Sequence, residues 1–408
     1  MSEGGPQRSS DVVRPTLWAM LGQVLYIGTI GYGGPTALTY LRTIFVEERE
    51  WVSEEEFLEA MSLAQVLPGS TGVTAMSYLG HLRYGYFGAL VFPLVFLAPS
   101  IVAILALSWA YFAYGQLSFV QPLFVGLGAL VVALLLAATL SLGRAVLTGG
   151  RSRIVRGLVI AAVTFSGSLF FKVNPVWLVV ASGLLGVALF FFSAADPVES
   201  DPADEPALPA ASGGSRWRFL PLVVAGGLVA ATLITPETRD LFLGFFQVGL
   251  LAFGGGFASV ALLQHVVVDQ TQWLPFAQFR DGIALGQITP GPVLITAGFV
   301  GYKVGGVLGS LAATLGIFLP PAMLVVLVAG LHGRIKRLKG VRAVVTGFQC
   351  GFIGLVAAVT IQFALNSLVS WQTWVIFAGS FVLVWYFKRS AGWAILGTVA
   401  FALLFIPR

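Results

Sequence analysis

Residues 30–51 read IGYGGPTALTYLRTIFVEEREW. Glycines at 31, 33 and 34 and a proline at 35 interrupt a segment otherwise apolar enough for a bilayer. In a hydrocarbon core every backbone N–H and C=O needs a partner, so a broken helix survives only where protein or a watery cavity covers the break. The rest of the composition sets the solvent. Of 408 residues, 57% are hydrophobic and 10% charged, where a soluble domain carries about 25% charged residues. Apolar runs long enough to cross a bilayer recur from end to end, which predicts an all-α polytopic membrane protein. The start, MSEGGPQRSSDVVRP, lacks the basic-then-apolar form of a signal peptide. The net charge of +5 reports which loops face the cytoplasm rather than nucleic-acid binding. The single cysteine, Cys350, rules out an internal disulfide framework and reads as a small core residue.

The chain then repeats itself. YGGP at 32–35 is answered by FGGG at 253–256, with Gly33 and Gly254 separated by 221 positions. LAQVLPG at 63–69 is answered by LGQITPG at 285–291, an offset of 222 that Trp51 and Trp273, Phe57 and Phe279, and Thr74 and Thr296 share. Gly80, Gly85, Gly88, Pro99 and Gly126 then match Gly301, Gly306, Gly309, Pro320 and Gly347 at 221. Two homologous halves follow from this register. Between them, residues 193–219 are rich in proline, acid and small side chains, the composition of a surface linker.

Loop charge predicts that the halves are inverted. The loop at 111–122 carries no charge, while its counterpart at 331–342 carries Arg334, Lys336, Arg337, Lys339 and Arg342. The next loop reverses this, with Arg144, Arg151, Arg153 and Arg156 in half one and an uncharged 365–374 in half two. Basic loops stay in the cytoplasm. Spans are expected near 16–46, 54–83, 86–111, 120–146, 155–172 and 175–193, then 219–235, then 240–267, 275–304, 307–331, 343–365, 371–387 and 391–407. About thirteen crossings put the N-terminus inside and the C-terminus outside. Re-entrant hairpins in the first two segments of each half would keep that parity and lower the count. The expected organisation is a cytoplasmic tail (1–15), a first repeat (16–193), a cytoplasmic linker (194–218), an inverting extra span (219–235) and a second repeat (236–408).

Discontinuous helices at matching places in inverted repeats mark a secondary transporter with a midplane site. The four breaks supply the expected substrate-binding residues: Gly33, Gly34 and Pro35; Pro68, Gly69, Ser70 and Thr71; Gly254, Gly255 and Gly256; Pro290, Gly291 and Pro292. Pro35 and Pro292 stand where new half-helices would begin, and Thr74 and Ser259 add hydroxyls nearby. Helix N-termini offer free N–H groups and about half a positive charge, which suits an anion. The competing reading is glycine packing faces and proline kinks. Gating or coupling candidates are Glu59, Asp281, Arg42, Arg83, Arg280 and His81, with the arginines either balancing an anion or snorkelling to the interface. Ser53 and Glu56 form a capping box, and the glutamates around it read as solvated. His265 and His332 read as interfacial. No P-loop, His-rich metal motif or Ser–His pairing stands out, so no enzyme activity, cofactor or metal is expected.

The stretch GGP…EEREWVSEEEFLEAMSLAQVLPG, with FGGGFASVALLQHVVVDQTQWLPFAQFRDGIALGQITPGPVLITAGFVGYKVGGVLGSLAATLGIFLPP, resembles the chromate ion transporter family, in its two-domain, long-chain form. The likeness runs over about residues 16–390. It implies chromate efflux across a bacterial inner membrane, chromate resistance, and recognition of the similar dianion sulfate. The implied partners are the anion and the bilayer, without nucleic acid, and homodimerisation is left open. Two departures touch the expected site. Family members often carry GGPxAH, where this chain has Leu38 at the histidine position, and the usual first-half PGP is PGS, with Ser70. Other readings are a transporter of sulfate or another anion, or an anion channel.

Overall fold

The computed structural model describes residues 15–31, 34–115, 117–118, 120–191, 226, 235–328 and 338–407. Half one contains α1 (Leu17–Ile30), α2 (Gly34–Arg42, continued by a π-helical Thr43–Glu48), α3 (Glu54–Val66), α4 (Thr71–Tyr114), α5 (Gln121–Val146), α6 (Arg151–Leu169) and α7 (Pro175–Gly186, continued to Phe191). Half two contains α8 (Pro236–Leu251), α9 (Val260–Gln264, continued to Gln270), α10 (Phe276–Ile288), α11 (Thr296–Val328, after a 3-10 turn at Val293–Ile295), α12 (Lys339–Ser367), α13 (Trp371–Phe381, continued to Tyr386) and α14 (Ala391–Phe405). Five of these helical stretches are long and apolar enough to cross a membrane: 71–114, 121–146, 151–169, 293–328 and 339–367. The protein is a multi-pass membrane protein.

Local chemistry starts the helices where the sequence places them. Ser53 Oγ accepts from the Glu56 N–H at 3.1 Å, and the Glu56 carboxylate accepts from the Ser53 N–H at 2.9 Å, so the expected capping box is present. Thr235 caps α8 with Pro236 in the first turn, a position where its missing N–H costs nothing.

The longest helix is two helices folded together. In α4, Tyr84 (φ −131°, ψ 15°) and Gly85 (φ 60°, ψ −145°) leave helical geometry. Ser77 Oγ donates to the Ala89 carbonyl at 2.7 Å, although twelve residues of straight helix would hold them about 18 Å apart. Gly80 and Gly88 meet backbone to backbone across the fold. α11 does the same at Gly305 (φ −135°, ψ 23°) and Gly306 (φ 61°, ψ −146°), with Gly301 against Gly309. Only glycine enters this region without strain. These folds fall at the expected boundaries, 83/86 and 304/307.

The earlier segments also double back. Arg83 donates to the Trp51 carbonyl at 2.8 and 3.1 Å and pairs with Glu56. Tyr84 OH donates to the Pro15 carbonyl at 3.0 Å. Residues 15, 51 and 83–84 therefore share one level, so 17–48 and 54–83 each leave it and return. In half two, Gly282 faces Phe299 and Gly286 faces Thr296, which makes α10 and the first arm of α11 antiparallel. Gly305 comes back beside Thr238 near the start of α8. These arms have the shape of the re-entrant hairpins that the sequence leaves open beside thirteen full crossings. An arm of about fifteen residues is about 22 Å long, short of the full hydrocarbon core of about 30 Å, and apolar length alone does not say whether thirty residues cross or turn round.

The segment expected as an extra span, 219–235, and the linker lie outside the described residues apart from Gly226 and Thr235, as do His332, Arg334, Lys336 and Arg337. Small residues let the helices approach closely. Gly186 meets Gly347, Gly351 meets Ser182, and Gly354 lies on the Ala161 carbonyl. Cys350 is buried, as expected.

Candidate functional site

The breaks are the tips of the hairpins, and the tips meet. The Gly69 N–H donates to the Ala252 carbonyl at 2.9 Å, and the Gly291 N–H donates to the Gly31 carbonyl at 3.1 Å. Ala252 is the repeat counterpart of Gly31, and Gly291 that of Gly69. The two bonds are one contact made twice, each half feeding a tip amide to the last carbonyl of the other half's first helix.

Packing around the tips repeats in the same sense. Gly69 (φ 113°) leaves room for Pro321 of α11, and Gly291 (φ 98°) leaves room for Ser100 of α4. Ser100 and Pro321 are themselves counterparts at an offset of 221. The substitution has a consequence, because Ser100 is fully buried and its hydroxyl donates to the Pro290 carbonyl at 2.5 Å. Sequence reasoning missed Ser100. The available signal was its position beside Pro99, opposite the Pro320–Pro321 pair.

The Gly69 and Gly291 amides are not free for a ligand, since they satisfy helix C-termini. What stays uncommitted lies beside them. Ser70 precedes α4, is 5% exposed and makes no capping hydrogen bond. Ser259 precedes α9 and turns its hydroxyl to the Gly255 carbonyl at 3.3 Å instead of capping. Thr74 is fully buried, and its hydroxyl has no partner while facing Gly69. Gly255 (φ 91°) has open space where a side chain would stand. Gly254 (φ 89°) packs near Ala258, and Gly256 near Val293. Pro292 directly precedes the Val293–Ile295 turn. Gly34 and Pro35 open α2, whereas Gly33 lies outside the described residues. A cavity of about 700 Å³ ends against Leu67 and Pro68, walled by Phe253, Leu324 and Phe348 with Lys339 on its rim.

The charged candidates stand at the hairpin bases. Arg42 pairs with Glu47 at 2.5 Å and Glu54 at 3.1 Å on the exposed surface. Glu56, expected in solvent, is instead mostly buried against Arg83. Glu59 faces the Tyr78 hydroxyl on the returning arm. His81 lies at the fold of α4, its ring 5.7 Å from Tyr86, with a buried Nδ1 that has no partner. His265 pairs with Asp269 at 3.8 Å.

Asp281 is different, since it is 7% exposed and joins the halves. Its Oδ1 accepts from Arg280 Nε and Nη2 at 3.1 and 3.0 Å, and its Oδ2 accepts from Tyr111 OH of half one at 2.9 Å. The Arg280 guanidinium lies on Gly128 of α5, where a Cβ would stand 3.0 Å away. All three side chains line a second cavity of about 370 Å³. Beside it, Phe112 stacks on Phe299 at 5.0 Å and Tyr111 packs edge-on against Phe124 at 4.8 Å. Tyr111 and Gly128 carried no sequence signal, because their partners lie in the other half.

A sequence model of the chromate transporter family matches residues 18–187 and 239–404, one block in each half. The chain is 32% identical over 396 residues to the chromate transport protein of Cupriavidus metallidurans, covering 95% of this chain and 94% of that one. It is 33% identical over 353 residues to a probable chromate transport protein of Synechococcus elongatus, covering 86% of each. An uncharacterized transporter of Bacillus subtilis, YwrA, aligns at 28% identity over 96% of its own length but only 41% of this chain, so the half also occurs as a protein. No solved structure matches the chain.

Proposed function

The chain belongs to the chromate transporter family, and from that membership we propose that it exports chromate across the bacterial inner membrane by alternating access. The observation that carries the mechanism is the reciprocal pair of tip hydrogen bonds, Gly69 to Ala252 and Gly291 to Gly31. A contact made twice by equivalent residues supports two inverted halves rocking about a shared centre. In this reading each half crosses four times, by the second arm of α4 or α11 and the three helices after it. One further crossing at 219–235 inverts half two. The N-terminus and the linker face the cytoplasm, and the C-terminus faces outside.

The anion sits beside the tips. Its ligands are the uncapped first turns after Ser70 and Ser259, the unpartnered Thr74 hydroxyl and the open space at Gly255, with the other break residues shaping the backbone around it. The 700 Å³ cavity then opens toward the cytoplasm, since its rim residue Lys339 belongs to the basic loop. Charge favours this direction. Moving one charge through 100 mV is worth about 2.3 kcal/mol, so a dianion leaving a negative interior gains about 4.6 kcal/mol. That sustains roughly a thousandfold gradient, at about 1.4 kcal/mol per tenfold. Leu38 replaces the histidine that would titrate near neutrality beside the site, so transport runs on the membrane potential or on exchange rather than on protons.

Radiolabelled chromate and sulfate uptake into inverted vesicles tests this. Expected are saturable chromate uptake driven by an interior-positive potential and little response to a pH gradient at zero potential. Sulfate uptake without chromate uptake would move the substrate to sulfate. Flux without saturation or trans-stimulation would make the protein a channel.

A further inference from the structure

The three arginine candidates have different surroundings. Arg42 meets two carboxylates, and Arg83 meets a carboxylate and a backbone carbonyl. Arg280 has one carboxylate, which it shares with a tyrosine of the other half. A guanidinium carries five N–H donors, and Asp281 occupies the one on Nε and one of the two on Nη2. The same side chain lines the 370 Å³ cavity together with Gln121 and Gln278. The Gln278 side-chain oxygen is buried and has no partner. Rotating that amide by half a turn presents its NH₂ to the same space, since oxygen and nitrogen are interchangeable in its outline.

We propose that this cavity is a second, exit-side site for a tetrahedral oxyanion, held by the Arg280 guanidinium and the Gln278 amide. The ligand class rests on the transport reading above, while the site rests on its own geometry. Planar guanidinium forks bind oxyanions through paired N–H bonds. An arriving dianion competes with Asp281 for that fork. Asp281 is also what holds Tyr111, and Tyr111 is packed among Phe124 and Phe299 where the halves close against each other. Taking Arg280 from Asp281 leaves a buried carboxylate without its cation, which destabilises the closed arrangement, so the departing anion opens its own way out. The symmetry-related place in half one lacks the arginine and its glycine seat. Leu58 stands where half two has Arg280, and Gln349 stands where half one has Gly128. The two sides of the transporter are thus unequal, and the exit side carries the anion-operated latch.

The test is thiol protection in the full chain, in right-side-out vesicles. Ala277 is exposed and lines the cavity, so Ala277→Cys is labelled from outside with a membrane-impermeant reagent. Sulfate and molybdate, which do not oxidise thiols, serve as probes against chloride at equal ionic strength. Saturable slowing of labelling by sulfate, absent in an Arg280→Gln, Asp281→Asn background, is the expected result. The paired change leaves no lone buried charge. Should that variant fail to insert, Arg280→Lys keeps the charge and loses the fork. It should weaken sulfate protection about tenfold, or about 1.4 kcal/mol. It should also raise the exchange KM for external anion while leaving that for internal anion unchanged. No protection in the parent, equal protection in the variant, or an equal KM change on both sides overturns the proposal. Failure of the unmodified chain to carry chromate would sink the proposed function instead, and sulfate protection would still decide the site.

Discussion

Four glycines at the breaks have positive φ, and a side chain on three of them meets something different: Pro321 at Gly69, Ser100 at Gly291 and nothing at Gly255. Gly69 and Gly291 are packing glycines, and substitution there strains the backbone and drives the halves apart. Gly255 bears only the backbone cost, about 1–3 kcal/mol for a strained conformation. Gly255→Ala should therefore insert at close to normal yield, while Gly69→Ala and Gly291→Ala lose folded protein. Along the series Ala, Val, Leu at Gly255, chromate efflux should fall as the open space fills. Normal efflux from well-inserted Gly255→Leu, measured in proteoliposomes, would remove the anion from this place. The sequence marked all three positions as breaks. What each glycine touches depends on residues as far as 252 positions away, as with Gly69 and Pro321, and no local pattern encodes that. Ser100 shows the same limit, since a serine inside an apolar helix gives no sign of a carbonyl 190 positions on.

At the scale of elements, helix starts and folds were legible because their chemistry is local. The Ser53–Glu56 box needs only the spacing, and Gly85 and Gly306 need only a backbone that other residues avoid. The hairpins were not, because their evidence is a contact between ends. Arg83 reaching Glu56 and Trp51 is that contact, and it gives Glu56 two tasks: it accepts from Ser53 and it pairs with Arg83. Glu56→Gln keeps an oxygen for the cap and loses the ion pair, whereas Glu56→Ala loses both. A lost cap costs about 1 kcal/mol. Glu56→Ala should thus be about 1 kcal/mol less stable than Glu56→Gln, both below the parent, by thermal unfolding in detergent. Equal losses would mean that the cap contributes nothing to the second hairpin.

For the whole molecule, duplication was readable from glycines and prolines in register, and the proposed sidedness rests on arginines and lysines. The meeting of the halves was not readable, because it is set by contacts between equivalent residues rather than by either repeat alone. Those contacts now constrain orientation. In α4 the arm from Tyr86 to Tyr114 begins beside Pro15 and ends with Tyr111 and Phe112 on Asp281, Phe299 and Tyr302. Half-one hairpin bases lie at one end of that helix and half-two bases at the other. Ser118 follows that far end, and Asn366 lies in the last turn of α12, which starts at the basic loop. Both are exposed, as is Lys339 at the start of α12. Single cysteines at Ser118 and Asn366 should label with an impermeant reagent from outside intact cells. A cysteine at Lys339 should label only after permeabilisation. Ser367, next to Asn366, is 2% exposed and unsuitable as a reporter, while the native Cys350 is buried and gives little background. Labelling of Ser118 and Lys339 positions from the same side would break the inverted arrangement. The 700 Å³ and 370 Å³ cavities would then no longer open to opposite compartments, and a single rocking motion could not serve both.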